Sequence, residues 1–216
     1  MLELGLKTLI AYLLGSVVGA LLVGTFRDVD IREQGSGNAG GTNALRTQGF
    51  GFAAVTVVID VGKGWLAAGW VPGLVLPGVA ADPALDRDWL AVACAAAAVI
   101  GHIWPQYHGF RGGKGGATLL GTLLALMPPL ALVTIGVWLV VAMLGGFVAL
   151  ATMTAAAAMP VALWFFGAAD SALVAFTLAM AALVIVAHRD NIRRLRAGHE
   201  PRLARLWLFG PRKPKP

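Results

Sequence analysis

Ten consecutive residues near the middle of the chain combine backbone freedom with positive charge. They are Gly109-Phe110-Arg111-Gly112-Gly113-Lys114-Gly115-Gly116-Ala117-Thr118. Glycine lets a backbone approach a ligand closely, and successive amides in such a turn form an anion-binding nest. Arg111 and Lys114 add charge, and a helix starting near Ala117 turns its positive end the same way. The stretch reads as an oxyanion loop suited to phosphate. It does not fit a nucleotide P-loop, which requires Gly, four residues, Gly-Lys and then Ser or Thr. Here His108 stands where the first glycine belongs, and Gly115 follows Lys114. The alternative is a flexible turn between membrane helices, basic only because of its side of the bilayer.

Two other stretches have the same character. Gly35 to Arg46 alternates glycine with Ser36, Asn38, Thr42 and Asn43, whose side chains can all donate to oxyanions. Arg46 can grip a phosphate through two nitrogens; the competing reading is a glycine-rich linker. His188 to Glu200 carries His188 and Asn191 three residues apart, on one face of a continuing helix. Both can reach a phosphate beneath the helix end, and the arginines after them suit an anionic lipid surface. His102, in Gly101-His102-Ile103-Trp104-Pro105, is either a general base or a satisfied polar residue at a helix end. Trp104 and Tyr107 read as interfacial anchors. Asp60 and Lys63 sit inside an apolar segment, where charges pair or serve function. The four histidines are scattered, none beside a carboxylate at ligand spacing, so neither metal nor cofactor is expected.

The elements that must position these residues lie in a membrane. Of 216 residues, 58% are hydrophobic and 13% charged, roughly half the charged share of a soluble domain. Mean hydropathy is +0.76. At about 20 residues per crossing, the chain has room for some six to eight crossings in a single domain, 1–216. The apolar segments are Leu4–Phe26, Phe50–Leu76, Trp89–Ile100, Ala117–Met127, Leu130–Leu144, Phe147–Phe166 and Ala172–Ala187. Ala117–Met127 is short and is read as ended by Pro128-Pro129; Gly145-Gly146 marks a break and Pro160 a kink. The first segment is expected to be a retained helix and not a signal peptide. Cys94 is read as a small core residue. No internal repeat points to the paired halves of a transporter.

Charge orients the chain. Net charge is +6, with no basic stretch of the kind that binds nucleic acid. Arg27, Arg32 and Arg46, then Arg111 and Lys114, then nine cations from Arg189 to Lys215 fall in alternate loops. Lys7 and Arg87 are left for the other side. The rule that basic loops stay in the cytosol predicts an all-α bundle of about seven transmembrane helices. The N-terminus lies outside, the C-terminus inside, and the three polar stretches share the cytosolic face.

The three stretches resemble the signatures of the bacterial membrane acyltransferases that move an acyl group from acyl-phosphate to glycerol 3-phosphate. Ser36 to Arg46 is similar to Ser-Gly-Asn-x-Gly-Ala-Thr-Asn-x-x-Arg. Gly101 to Thr118 is similar to Gly-His-x-x-Pro followed by Lys-Gly-Gly-Lys-Gly-x-Ala-Thr. His188 to Glu200 is similar to His-x-x-Asn-Ile-x-Arg-Leu-x-x-Gly-x-Glu, and Asp60 to Gly64 also agrees with the family. Departures are mild: Gly41 for alanine, Arg111 for lysine, and Trp104 where phenylalanine is common.

The resemblance implies a multi-pass protein of the bacterial plasma (inner) membrane. It implies phosphate binding by Ser36, Arg46, Lys114, His188 and Asn191, with Asn38 and Thr42 lining the pocket and Asn43, His102 and Arg111 also binding substrate. Amides at Gly112, Gly113, Gly115 and Gly116 would face the acyl-phosphate. Lys114, His188 and Ser36 would attend the transfer. The implied partners are glycerol 3-phosphate, acyl-phosphate and membrane lipid; the products are lysophosphatidic acid and phosphate. Because acyl-phosphate is already activated, direct attack needs no covalent nucleophile. No histidine has an aspartate five residues later, which speaks against the common thioester-dependent acyltransferases. A small anion channel or phosphate-ester transporter is the other class such basic, glycine-rich loops would serve.

Overall fold

The computed structural model describes residues 1–167, 170–204 and 206–210. The described chain is helical: α1 Leu2–Gly15, α2 Gly19–Thr25, α3 Gly41–Thr47, α4 Phe50–Gly69, α5 Arg87–Ile103, α6 Gly116–Leu126, α7 Pro128–Gly145, α8 Val148–Phe165, α9 Ser171–Ala187 and α10 Arg189–Arg196. In lipid a helix is favoured because it satisfies its own backbone. Among the described residues four helices are long and apolar enough to cross a membrane, and up to six spans result if the bent pairs α1/α2 and α9/α10 each count as one. The protein is therefore a multi-pass membrane bundle. At 1.5 Å per residue the 11 residues of α6 rise about 16 Å, half of a hydrocarbon core.

The sequence reading differs from this in two places. Leu4–Phe26 is not one rod: it breaks at Ser16–Val18 and bends by 53°. Pro128 and Pro129 do not merely end α6; they occupy the first turn of α7, where a missing N–H costs nothing. The break at Gly146 is where expected, with φ +73°. Pro160 lies inside a continuous α8. Arg205, Arg212, Lys213 and Lys215 fall outside the described residues.

Small residues bring the helices together, as membrane packing favours. A side chain at Gly64 of α4 would strike the Thr118 carbonyl of α6, and one at Gly121 of α6 would strike the Val61 carbonyl of α4. Between α5, α6, α8 and α9 lies the main core, with Val99, Leu119, Leu123, Met159, Leu163, Phe176 and Val184.

The bundle has two unlike ends. At one, the N-terminal ammonium meets Asp82 at 2.7 Å, and Glu3 pairs with Lys7 at 2.8 Å and Arg87 at 2.7 Å. At the other, the segment before α4, the loop before α6, the turn after α7 and the C-terminal tail are tied together. Arg32 donates to the His108 carbonyl at 2.9 Å, Arg46 to the Pro201 carbonyl at 3.0 Å, and the Leu203 amide to the Gly146 carbonyl at 2.8 Å. All three glycine-rich or basic stretches share this second end.

Candidate active site

The loop before α6 is folded back on the end of α5. The Gly112 amide donates to the Ile103 carbonyl and the Gly113 amide to the His102 carbonyl, each at 3.1 Å; the Phe110 amide donates to Pro105 at 3.0 Å. Gly112 and Gly113 were expected to offer amides to a ligand. Their amides are instead taken by α5, and the two glycines shape the loop. Any side chain at Gly112 would overlap the His102 carbonyl, and one at Gly113 the His102 ring. Among the described residues, the amides of Lys114, Gly115, Gly116, Ala117 and Thr118 form an unbroken run without a hydrogen bond. Gly115, at φ +83°, sets the turn into α6. The open donors of the loop are therefore those at the N-terminus of α6 and the two residues before it, where free amides and helix dipole coincide.

Lys114 leads this opening. Its ammonium donates to Asn191 Oδ1, and Asn191 Nδ2 donates to Glu200 Oε1 at 2.7 Å. The second oxygen of Glu200 accepts from Arg194 Nε at 2.8 Å. Asn191 and Glu200 are buried. Burial and the neighbouring Arg194 lower the pKa of Lys114, with Glu200 and Asp190 acting the other way. Arg46, half-buried, reaches over from α3 to the residue following Glu200. Burial lowers its pKa too, against the pull of Glu200, yet a guanidinium remains charged. Lys114, Arg46 and Arg194 thus surround one carboxylate, and the group keeps an excess of positive charge.

His188 sits at the 57° bend between α9 and α10, one helical turn before Asn191. It is buried, and its Nδ1 lies 2.8 Å from the Val184 carbonyl. A carbonyl only accepts, so Nδ1 carries the proton and Nε2 is left as an acceptor.

The first stretch approaches from the side. Arg32 bonds the carbonyls of His108 and Arg111, and the Ala39 carbonyl lies beside Gly113. Ser36 is exposed, Asn38 and Thr42 are half-buried, and their side chains form no hydrogen bond among the described residues. Asn43 was expected to contact substrate but serves the loop. Its Nδ2 donates to Ile31 and Gln34 carbonyls at 3.1 and 2.9 Å, and its Oδ1 accepts from the Ser36 amide at 3.0 Å. His102 lies behind the central loop, with Nδ1 2.9 Å from Lys63 Nζ. Arg111 is exposed at the loop's edge.

Glu200, Arg194 and Arg32 were not singled out as site residues. Glu200 stands in the third stretch, but its orienting role needs the tail to fold back over α10. Arg32 looked like orientation charge only, because its targets are carbonyls and carry no sequence signature. Among the described residues no group of His, Cys, Asp and Glu side chains is placed to hold a metal ion.

With this geometry in place, comparison with known proteins is specific. A family profile described as "Glycerol-3-phosphate acyltransferase" matches residues 6–198. A glycerol-3-phosphate acyltransferase of Thermosynechococcus vestitus is 48% identical, over 93% of this chain and 95% of that protein. One from a Synechococcus strain is 43% identical over 98% of this chain and 100% of its own length. Two crystal structures of PlsY (YgiH), an integral membrane glycerol 3-phosphate acyltransferase, share the fold. The glycerol 3-phosphate form gives a TM-score of 0.82 at 33% identity, over 94% of this chain and 96% of that one. The lysophosphatidic acid form gives 0.80 at 32%, over 95% and 98%.

Proposed function

The chain belongs to the glycerol-3-phosphate acyltransferase family, and from that premise we propose that its basic end moves an acyl group from acyl-phosphate to the 1-hydroxyl of glycerol 3-phosphate. The reaction gives lysophosphatidic acid, as the names and ligands of its relatives indicate. The acyl-phosphate donor is the further step. The observation that carries it is the meeting of Lys114, Asn191, Glu200 and Arg46 from three distant stretches at the open N-terminus of α6. Two anionic head groups need such a concentration of donors to lie side by side.

In the proposed reaction the glycerol 3-phosphate sits against Arg46, Lys114 and Asn191, with Ser36, Asn38 and Thr42 closing the first-loop side. The free amides from Lys114 to Thr118 receive the acyl-phosphate. The 1-hydroxyl oxygen attacks the acyl carbon, and the bond from that carbon to the phosphate oxygen breaks. Inorganic phosphate leaves, and the hydroxyl proton passes to a phosphate oxygen of the substrate. His188 Nε2 accepts from the neighbouring 2-hydroxyl of glycerol 3-phosphate and so orients the 1-hydroxyl, whose single proton points to the phosphate oxygen. Proximity supplies much of the rate; Lys114 and the amides stabilise the developing oxyanion.

We also infer one domain over 1–216 with seven crossings, α6 making the short one. The N-terminus is outside and the active site at the cytosolic face of the bacterial plasma membrane. Cationic residues gathered at one end support this orientation.

The test is phosphate release by detergent-purified protein. Release that requires both acyl-phosphate and glycerol 3-phosphate is expected, with acyl thioesters inert. Equal turnover with a thioester donor would overturn the donor assignment.

A further inference from the structure

Asp60, Lys63 and His102 take no part in the transfer step, yet all three are buried together at the back of the central loop. Asp60 and Lys63 are one turn apart on α4, and His102 is in the last turn of α5. Lys63 Nζ lies 3.0 Å from Asp60 Oδ1, 2.8 Å from the Val17 carbonyl and 2.9 Å from His102 Nδ1. An ammonium has three protons, and here it finds three acceptors. Asp60 Oδ1 also takes the Gly19 amide at 3.0 Å. Val17 lies in the break between α1 and α2 and Gly19 opens α2 beyond it, where backbone groups lose their helical partners. The cluster therefore closes the broken helix on one side.

Its other side is the loop. The Gly113 amide bonds the His102 carbonyl, and the Gly113 Cα lies so close to His102 Nε2 that no side chain fits between them. Lys114 is the next residue. His102 Nδ1 faces Lys63 at 2.9 Å and Asp60 at 3.3 Å. The shorter contact, to a donor that needs a third acceptor, leaves Nδ1 unprotonated and puts the ring proton on Nε2, the edge turned toward Gly113.

We propose that Lys63, clamped by Asp60, is a positioning residue for acyl transfer: it fixes the orientation and tautomer of His102, and His102 fixes the loop that presents Lys114. The proposal rests on the role given to Lys114 above. The cluster touches no substrate; it acts by holding the bend at Gly112 and Gly113 against the end of α5. A charge pair inside the membrane is kept here because it joins three segments: the break at Val17 and Gly19, the end of α5 at His102 and, through His102, the loop at Gly113.

Two measurements test it. The first uses the unaltered protein with 15N-labelled histidine, His102 being assigned by its loss in His102→Gln. The expected spectrum shows His102 protonated on Nε2 and bare on Nδ1; a proton on Nδ1, or on both nitrogens, overturns the tautomer assignment and with it the proposal. This readout needs no turnover, so it stands apart from any failure of the enzymatic reading. The second is the double variant Asp60→Asn with Lys63→Met, which removes both charges and leaves neither uncompensated. In a variant that remains folded by thermal melting, kcat falls at least about tenfold, and the KM for glycerol 3-phosphate rises by less than kcat falls, because Arg46 and Asn191 still hold that phosphate. On a Lys114→Ala background the same pair of changes costs less than about threefold, because the group being positioned is gone. An unchanged kcat in the folded variant, or an undiminished loss on the Lys114→Ala background, overturns the proposal.

Discussion

Removing the Lys114 ammonium isolates the chemistry from the fold. Its one hydrogen-bond partner among the described residues is a neutral amide, Asn191 Oδ1, and Asn191 keeps its second bond to Glu200 at 2.7 Å after Lys114→Ala. The structural cost is therefore one hydrogen bond, about 1 kcal/mol, partly offset by relief of a half-buried charge. For a chain of this length that is a shift of roughly 2–4 °C in Tm. The functional cost is larger. A charged donor aimed at a developing oxyanion contributes about 2.7–4 kcal/mol, so kcat falls about 10²–10³-fold. The assay is phosphate release from acyl-phosphate and glycerol 3-phosphate, beside a thermal melt in the same detergent. Lys114→Arg adds a pH test. Burial lowers the Lys114 pKa, so in the free enzyme the charge is lost as pH rises through a value below that of an ordinary lysine. A guanidinium holds its proton through that range, so the alkaline fall of kcat/KM moves to higher pH in Lys114→Arg. A Lys114→Ala protein that melts normally and turns over within about threefold of the parent would refute the role assigned to this loop.

Three other changes separate the remaining parts. His188→Gln loses no more than about tenfold in kcat if a substrate phosphate oxygen takes the proton; a loss beyond about a hundredfold, the scale of a general base, would make His188 that base. Glu200→Ala frees Asn191 and Arg194 together, so kcat/KM for glycerol 3-phosphate falls about tenfold, while Glu200→Gln, which still accepts from Asn191, loses about threefold. Equal losses in the two would mean that the charge of Glu200 matters and its hydrogen bond to Asn191 does not. The tail is held by Arg202, whose guanidinium lies 4.5 Å from the Phe147 ring and 4.1 Å from that of Trp207. At about 0.5–1 kcal/mol per contact, Arg202→Ala opens the tail some 5- to 30-fold more often. Limited proteolysis between Arg202 and Gly210 should accelerate to match, with a higher KM as Arg46 loses the Pro201 carbonyl; an unchanged cleavage rate would show that the rings do not hold it.

The parts of this arrangement that sequence reveals are those with a chemical signature. Glycine beside lysine, an asparagine three residues after a histidine and an arginine after two asparagines marked three stretches with the chemistry to hold an anion, and charge placed them at one end, where the structure has them meet. What sequence did not reveal depends on backbone. The carbonyls that take the Gly112 and Gly113 amides belong to Ile103 and His102, and any residue type would supply them. Asn43 reads as a ligand by type, and only the fold of the loop shows its amide committed to Ile31, Gln34 and Ser36. The break at Ser16–Val18 is hidden in an apolar run because its stabilisers, Asp60 and Lys63, lie some forty residues away. Pro128 and Pro129 end one helix and begin the next, and periodicity alone does not distinguish the two roles.

Binding of the two substrates together tests the account most directly. Glycerol 3-phosphate would be titrated calorimetrically into detergent-purified protein already saturated with a non-reactive acyl-phosphonate. Uptake of about one equivalent is expected, since two anions are held at separate places around Lys114, and Arg46→Gln should weaken it. If the phosphonate abolishes glycerol 3-phosphate binding outright, the site holds a single anion and the account is contradicted.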